Sequence, residues 1–420
     1  MLFALCMCLA PLAVPAPLAQ NPNSRSLGAR SLGDRIELHS GSVLEGRVLW
    51  ADDERVLVRS EGRNREYERS LVRRIEAQTD ALETLLKLPL SPGEGRAAQW
   101  VEYARYAQSR QLSGESVVLA WASLLVDPEH EPAHKLLGHR RQDKDWVRVR
   151  NDGGEDRVRT LLTQAPEPNR PWRFSSLHHE LRSELPLQPT LELYWTLERM
   201  ERAWRGDLAK ELRLQETTLP LFVEVYRERR RFPLPRERAE RVAWVGPGPT
   251  LFIDAEQGLP QEEWSALCLR ERIELSFASF EFPCLLPTAW SEGLARLAAR
   301  ADWSGPGLRA WPKLELPKEV ALRVAKSRVR RPVSELVRLT RIDLDYQSGF
   351  VQRSEECQAL ADWALQTEDE NVRAATLVYL GWIARGKEGS IRELERAFGR
   401  DRDALDLRLL DWTRARADLR

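Results

Sequence analysis

Residues 270–297 read "RERIELSFASFEFPCLLPTAWSEGLARL" and decide how the chain is understood. With the preceding "GLPQEEWSALCL" (258–269) and the "AAR" that comes after, they form a helix, a short proline-bounded loop and a second helix. Placed on a wheel at about 100° per residue, Trp264, Cys268 and Leu275 gather on one side, and Leu269, Ile273, Phe277 and Phe280 on another. Arg272, Ser276 and Ser279 make a narrow polar stripe between them. On the remaining arc Arg270, Glu271 and Glu274 are interleaved with Leu267 and Ala278, so a charged trio sits inside an apolar frame. That frame weakens the alternative of a solvated charged face.

If the trio is buried, its charges need partners. Arg270 and Glu274 are i,i+4 neighbours and can pair directly. With Glu292 of the second helix the cluster holds one positive and three negative charges. Another arginine, a bound cation or a protonated carboxyl must balance it.

The pair of helices resembles the core of gluzincin-type metallopeptidases, in the version found in large exported bacterial proteins. Those carry HExxH in a buried helix, then a loop, then a P-x-W-x-x-EG-x-A helix that supplies the third zinc ligand. "PTAWSEGLARL" (287–297) matches the second half through Pro287, Trp290, Glu292, Gly293 and Ala295. The resemblance puts Glu292 at the metal-ligand position and Glu271 at the general-base position. The first half departs from the pattern, because "RERIE" (270–274) stands where HExxH is expected. Arg270 and Glu274 replace the two histidines, and no histidine comes after His179 anywhere in the chain. Arginine does not coordinate zinc, and its cation would sit where the metal should be. The resemblance therefore implies the peptidase fold over 165–420 without its chemistry: a vestigial cleft lined by Arg270, Glu271, Glu274 and Glu292, with no catalytic residue, metal or other cofactor.

The literal zinc signature lies elsewhere, in "HEPAH" (130–134). His130 and His134 have the i,i+4 spacing that can share a metal, with Glu131 between them. Pro132 has no N–H and clashes with a preceding turn, so it confines the motif to the first turn of a helix. The flanking residues point to an exposed helix start, and no third ligand comes after it. His178 and His179, read on one strand, point to opposite faces and cannot jointly hold a metal.

Outward from these helices the chain divides. Residues 1–19 are an apolar stretch ending in small residues, read as a signal peptide cut after Ala19. Short alternating runs over 33–77 read as four or five strands of a small SH3-like or Sm-like barrel. Residues 94–147 turn helical and resemble one tetratricopeptide-type unit, with two helices, a turn at Asp127-Pro128 and the start of a third. "PEPNRP" (166–171) reads as a linker. Beyond it come a strand over "WRFSSLHHELRSEL", a helix, a buried strand over 219–226 and two short strands across a Gly-Pro turn. The tail from about 354 onward is helical. The expected fold is thus α+β and multidomain: a small barrel, a short helical unit, then a gluzincin-like domain with a β-rich first part and a helical second part.

Composition narrows the function. Lys+Arg and Asp+Glu balance at 64 each, giving a net charge of +0 and no pull toward nucleic acid. Hydrophobic residues make up 42%, but after the leader no stretch is long and apolar enough to span a bilayer. Cys268, Cys284 and Cys357 have no zinc-knuckle spacing. "AWSEGLA" is not a serine elbow, since it lacks G-x-S-x-G and no histidine comes after it. The expectation is an exported pseudopeptidase with a binding or scaffold role in the cell envelope, its cleft suited to a peptide, protein or glycan. Two alternatives stand beside it. One is an active metal-dependent hydrolase, using His130, Glu131 and His134 or a hard cation held by Glu271, Glu274 and Glu292. The other is an adaptor working through the N-terminal modules.

Overall fold

Period-two alternation builds the first sheet. In the computed structural model β1 (Asp34–Leu38), β2 (Val43–Ala51), β3 (Arg55–Ser60), β4 (Arg63–Glu68) and β5 (Val72–Glu76) pair antiparallel in the order β4-β3-β2-β1-β5. Ile36, Val56, Val58 and Val72 bury their alternate faces in a small core of their own. The buried carboxylate of Asp34 ties the sheet to the first helix, accepting from Val48 N at 2.7 Å and Gln78 N at 2.8 Å. The structure describes residues 34–419 except 52–53, 61–62, 77, 88–92, 151, 210, 213, 215–219, 234–242, 246–249, 257, 259–260, 279–285, 302–315, 346–348 and 368. The expected leader, Ser279, Phe280, Cys284 and the Gly-Pro turn lie outside the described residues.

Then come α1 (Gln78–Leu86) and the helical hairpin α2 (Ala97–Ser109) and α3 (Ser113–Val126). A third helix, α4 (Glu131–Leu136), does start where expected but stops after six residues. The chain from there to residue 147 is not helical. It passes into a three-stranded antiparallel sheet, β6 (Arg140–Gln142), β7 (Asp145–Val149) and β8 (Glu155–Arg157), and then into α5 (Val158–Thr163). The left-handed Gly138 (φ 68°) ends the helical run.

The second large sheet has the order β12-β13-β11-β10-β9. Its strands are β9 (Trp172–Ser175), β10 (His179–Ser183), β11 (Leu221–Tyr226), β12 (Ala243–Val245) and β13 (Thr250–Asp254). The stretch expected as one strand over 172–185 is a hairpin, because the turn at Ser176–His178 lets β9 and β10 pair antiparallel. β10, β11 and β13 are parallel, while β12 returns antiparallel at the far edge. The parallel step from β10 to β11 needs a crossover, and α6 (Leu187–Trp204) supplies it.

Helices complete the chain: α7 (Gln261–Ala278), α8 (Thr288–Ala298), α9 (Lys318–Lys326), α10 (Val333–Leu336), α11 (Arg341–Asp345), α12 (Phe350–Gln366), α13 (Glu370–Ala384), α14 (Ile391–Phe398) and α15 (Arg402–Arg416). Side chains cap two of them, Asp369 accepting from Asn371 N at 3.0 Å and Asp401 from Ala404 N at 2.9 Å. Gly399, left-handed at φ 59°, closes α14. One continuous hydrophobic core runs from Ala81 of α1 to Ala417 beyond α15, so the hairpin and the C-terminal helices share it. The protein is a mixed α+β molecule with separate small sheets, and no helix among the described residues is long and apolar enough to cross a membrane.

Candidate functional site

Helix α7 is buried nearly all round, as its sequence requires. Arg270 is 0% exposed and Glu271 3%, so the charged trio is not a solvated face. Arg270 reaches across to α8, where Nη1 donates to Glu292 Oε2 at 3.1 Å, and its Nε lies 3.9 Å from Glu271 Oε1. Glu274 turns the other way, accepting from Ser291 Oγ at 2.7 Å and from Arg341 Nε at 2.7 Å.

Arg341, on the short helix α11, is the additional arginine that the charge count demanded. Its Nη2 also donates to Glu271 Oε1 at 2.6 Å, so one guanidinium bridges Glu271 and Glu274. A third cation, Arg296, lies one turn beyond Glu292 and donates to its Oε1 at 2.9 Å. Ser354 of α12 donates to the same oxygen at 2.7 Å. Arg270, Arg296 and Arg341 thereby balance Glu271, Glu274 and Glu292, which is how so many charges are tolerated inside the core.

The carboxyls respond differently to these surroundings. Burial works against ionising Glu292, but the Arg296 and Arg270 guanidinium groups outweigh it and hold the carboxyl down at about 2. For Glu271 burial prevails over the attraction of Arg341 and Arg270, and its carboxyl lies above the usual range. Burial also pushes the Cys268 thiol, one turn earlier on α7, far up, so it is no ready nucleophile.

The "EG" of the second helix also has a packing role. A Cβ on Gly293 would stand 2.2 Å from the Cys357 carbonyl oxygen of α12, so only glycine lets the two helices approach. Trp290 is fully buried, with its ring 5.8 Å from that of Tyr379.

HEPAH lies in a different setting from the one expected. His130 is the N-cap residue of α4 and Pro132 sits in its first turn, as the sequence required. His134, however, is wholly buried rather than exposed. Its ring stacks on Trp146 of β7 at 4.1 Å and an interplanar angle of 7°. Its Nε2 lies 2.9 Å from the Pro128 carbonyl, which can only accept, so Nε2 carries the proton. Nδ1 then accepts from His139 Nδ1 at 3.0 Å. Both ring nitrogens are thus engaged, and burial holds the pKa of His134 below the ordinary histidine value. His130 pairs with Asp127 at 3.6 Å. The early proline is legible in the sequence, whereas burial under Trp146 comes from the β6–β7 hairpin, which begins inside the span expected to be helical.

The adjacent histidines also differ from expectation. His178 belongs to the turn and only His179 to β10, so alternation does not separate them. Both converge on Glu198 of α6, His178 Nδ1 at 2.9 Å and His179 Nδ1 at 3.0 Å. Ser176 Oγ donates to that carboxylate and accepts the His179 backbone N–H at 2.9 Å. Arg272, read as part of a minor polar stripe, joins α7 to α6. Its Nη2 donates to Glu201 Oε1 at 2.7 Å, and its Nη1 to the His178 carbonyl at 3.4 Å. Their association is not legible in the sequence, because the partners Glu198 and Glu201 lie 19 and 71 residues away in the chain from His179 and Arg272. Among the described residues, no three His, Cys, Asp or Glu side chains are grouped so as to hold a metal ion.

No family profile matches the sequence, and no curated protein matches it.

Proposed function

We propose that the protein is a catalytically silent relative of the gluzincin metallopeptidases, exported and serving a binding or scaffold role in the cell envelope. One observation carries the reading: Arg270, Arg296 and Arg341 engage Glu271, Glu274 and Glu292 at the place the resemblance assigns to zinc. Glu292 occupies the ligand position and Glu271 the general-base position, yet arginines take both. Buried Arg270 supplies the positive charge there, and a guanidinium polarises no water toward a scissile carbonyl as zinc does. The order of elements agrees with this reading, since a small mixed sheet precedes the two helices and a helical part comes after them.

Metal analysis of the purified full-length chain tests it. The expected result is less than about one-tenth of an equivalent of zinc, nickel or cobalt, unchanged in His130→Ala. Stoichiometric zinc that disappears on His130→Ala would overturn the reading in favour of a hydrolase using HEPAH. A divalent cation lost on Glu292→Ala would instead support a carboxylate-held ion.

A further inference from the structure

Besides the apolar core that it shares with the body of the molecule, the helical hairpin meets it at a tight, polar joint. A Cβ on Gly114 would stand 1.6 Å from the Ser175 carbonyl oxygen, so the start of α3 lies directly against the β9–β10 turn. The next residue, Glu115, is 1% exposed. Its Oε1 is a buried atom with no hydrogen-bond partner. The groups facing it are Tyr194 and Glu198 of α6 and His178 of the turn. His179 of β10 stands on the other oxygen of Glu198. Beyond them, Arg272 of α7 is taken up by Glu201. The other elements packed on α3 bring no competing charge: Glu102 and Arg105 of α2 and Arg173 of β9 are exposed, and His134 of α4 is held at both nitrogens.

We propose that this joint is a pH-responsive latch, closed while Glu115 is protonated and loosened when Glu115 ionises beside Glu198. Two carboxylates share the pocket, and only Glu198 has histidine ring nitrogens on both of its oxygens. Glu198 holds that place, since His178 and His179 outweigh the burial that opposes its charge and keep its carboxyl well below the usual range. Glu115 therefore carries the proton. Burial first, and then the Glu198 charge, push its carboxyl up to about 7.

Linkage gives the sign. Glu115 binds its proton more tightly in the closed joint than when released. Its contribution to closure is therefore full below its ordinary value of 4.5 and lost as pH rises to about 7. His179 acts oppositely, because burial lowers its pKa and charging it in the opened form favours opening on the acid side. An alkaline limb belonging to Glu115 and an acid limb belonging to His179 leave closure tightest between them. What the latch controls is the attachment of α2–α4 to α6 and β9, and hence exposure of the apolar face of the hairpin.

Hydrogen exchange on the full chain, corrected for intrinsic rates, tests this at amides 113–116 and 175–179. Wild-type opening should rise a few-fold between about pH 6 and 8, as the Glu115 limb outruns the fading His179 limb, and level off above that. In Glu115→Gln the alkaline limb should vanish while the acid limb stays. In Glu198→Gln it should move to lower pH. Identical profiles for wild type and Glu115→Gln would overturn the proposal. If Glu115→Gln does not fold, carboxyl carbon NMR of the wild type decides. A glutamate titrating near neutrality and coupled to opening supports the latch, and its absence between about pH 5 and 8.5 sinks it.

Discussion

Glu292 stands between Arg270, Arg296 and the Ser354 hydroxyl, so protonating it takes a carboxylate away from two guanidinium groups in the core. Its carboxyl titrates at about 2 in the fold against an ordinary value of 4.5. A depressed acid contributes stability that is fully present above about pH 4.5 and is lost as pH falls toward 2. The loss is about 3 kcal/mol, measurable by urea unfolding at about pH 5 and pH 2.5. Glu292→Gln should lack that limb and be destabilised by about 3–5 kcal/mol at neutral pH, because one partner of a buried pair is gone. An acid limb as steep in Glu292→Gln as in wild type would assign it to other groups. At His134 the expectation concerns stability and not metal. His134→Ala unpairs His139 and the Pro128 carbonyl and removes the stack on Trp146, costing about 2–4 kcal/mol in the same assay. The need for an additional cation near the trio was legible at this scale, since three carboxylates and one arginine cannot be buried unbalanced. Its identity was not, because Arg341 lies 67 residues from Glu274 along the chain and no local pattern links them.

At the scale of elements, α7 was readable because an apolar frame around a charged trio has few homes other than the interior. The second helix was readable too, but Gly293 has a cause that the motif does not state. Its missing Cβ is the space into which the backbone of α12 packs, with the Cys357 carbonyl carbon at 2.8 Å from where that atom would be. Gly293→Ala should force α8 and α12 apart and cost about 3 kcal/mol or more, even though alanine is the better helix former by about 1 kcal/mol. Chemical denaturation of the variant checks this, and a neutral or stabilising result would mean that the helices separate cheaply. Two element boundaries differ from those the sequence implies. A strand that begins at His179 rather than at Trp172 moves His178 into a turn, and period-two reasoning then no longer applies to the pair. Similarly the hairpin of β6 and β7 covers His134, and its three-residue strand β6 is too short to show any alternation.

Across the whole molecule the distribution of core residues differs from a string of modules. The first sheet keeps a separate core of Ile36, Val56, Val58 and Val72, whereas α1–α4 share one continuous core with the second sheet and the C-terminal helices. Sequence could mark the changes of period that separate these segments, but it could not tell which apolar faces meet. Leu119 and Trp121 of α3 look the same whether they face a neighbouring repeat or β9. In the fold the Trp121 ring lies 5.2 Å from that of Trp172, which ties the hairpin to the second sheet. An adaptor made of the N-terminal modules alone would therefore expose a face that the rest of the chain normally covers. A chain beginning at residue 78 should keep the main calorimetric transition within about 3 °C of full length, since the first sheet has a small core of its own and the continuous core starts at Ala81. A fragment ending at residue 150 should instead show no cooperative transition for α2–α4, because it lacks Trp172, Tyr194 and Trp195. If that fragment melts cooperatively with helical circular dichroism, the hairpin is an independent module after all and the shared core is not what holds it.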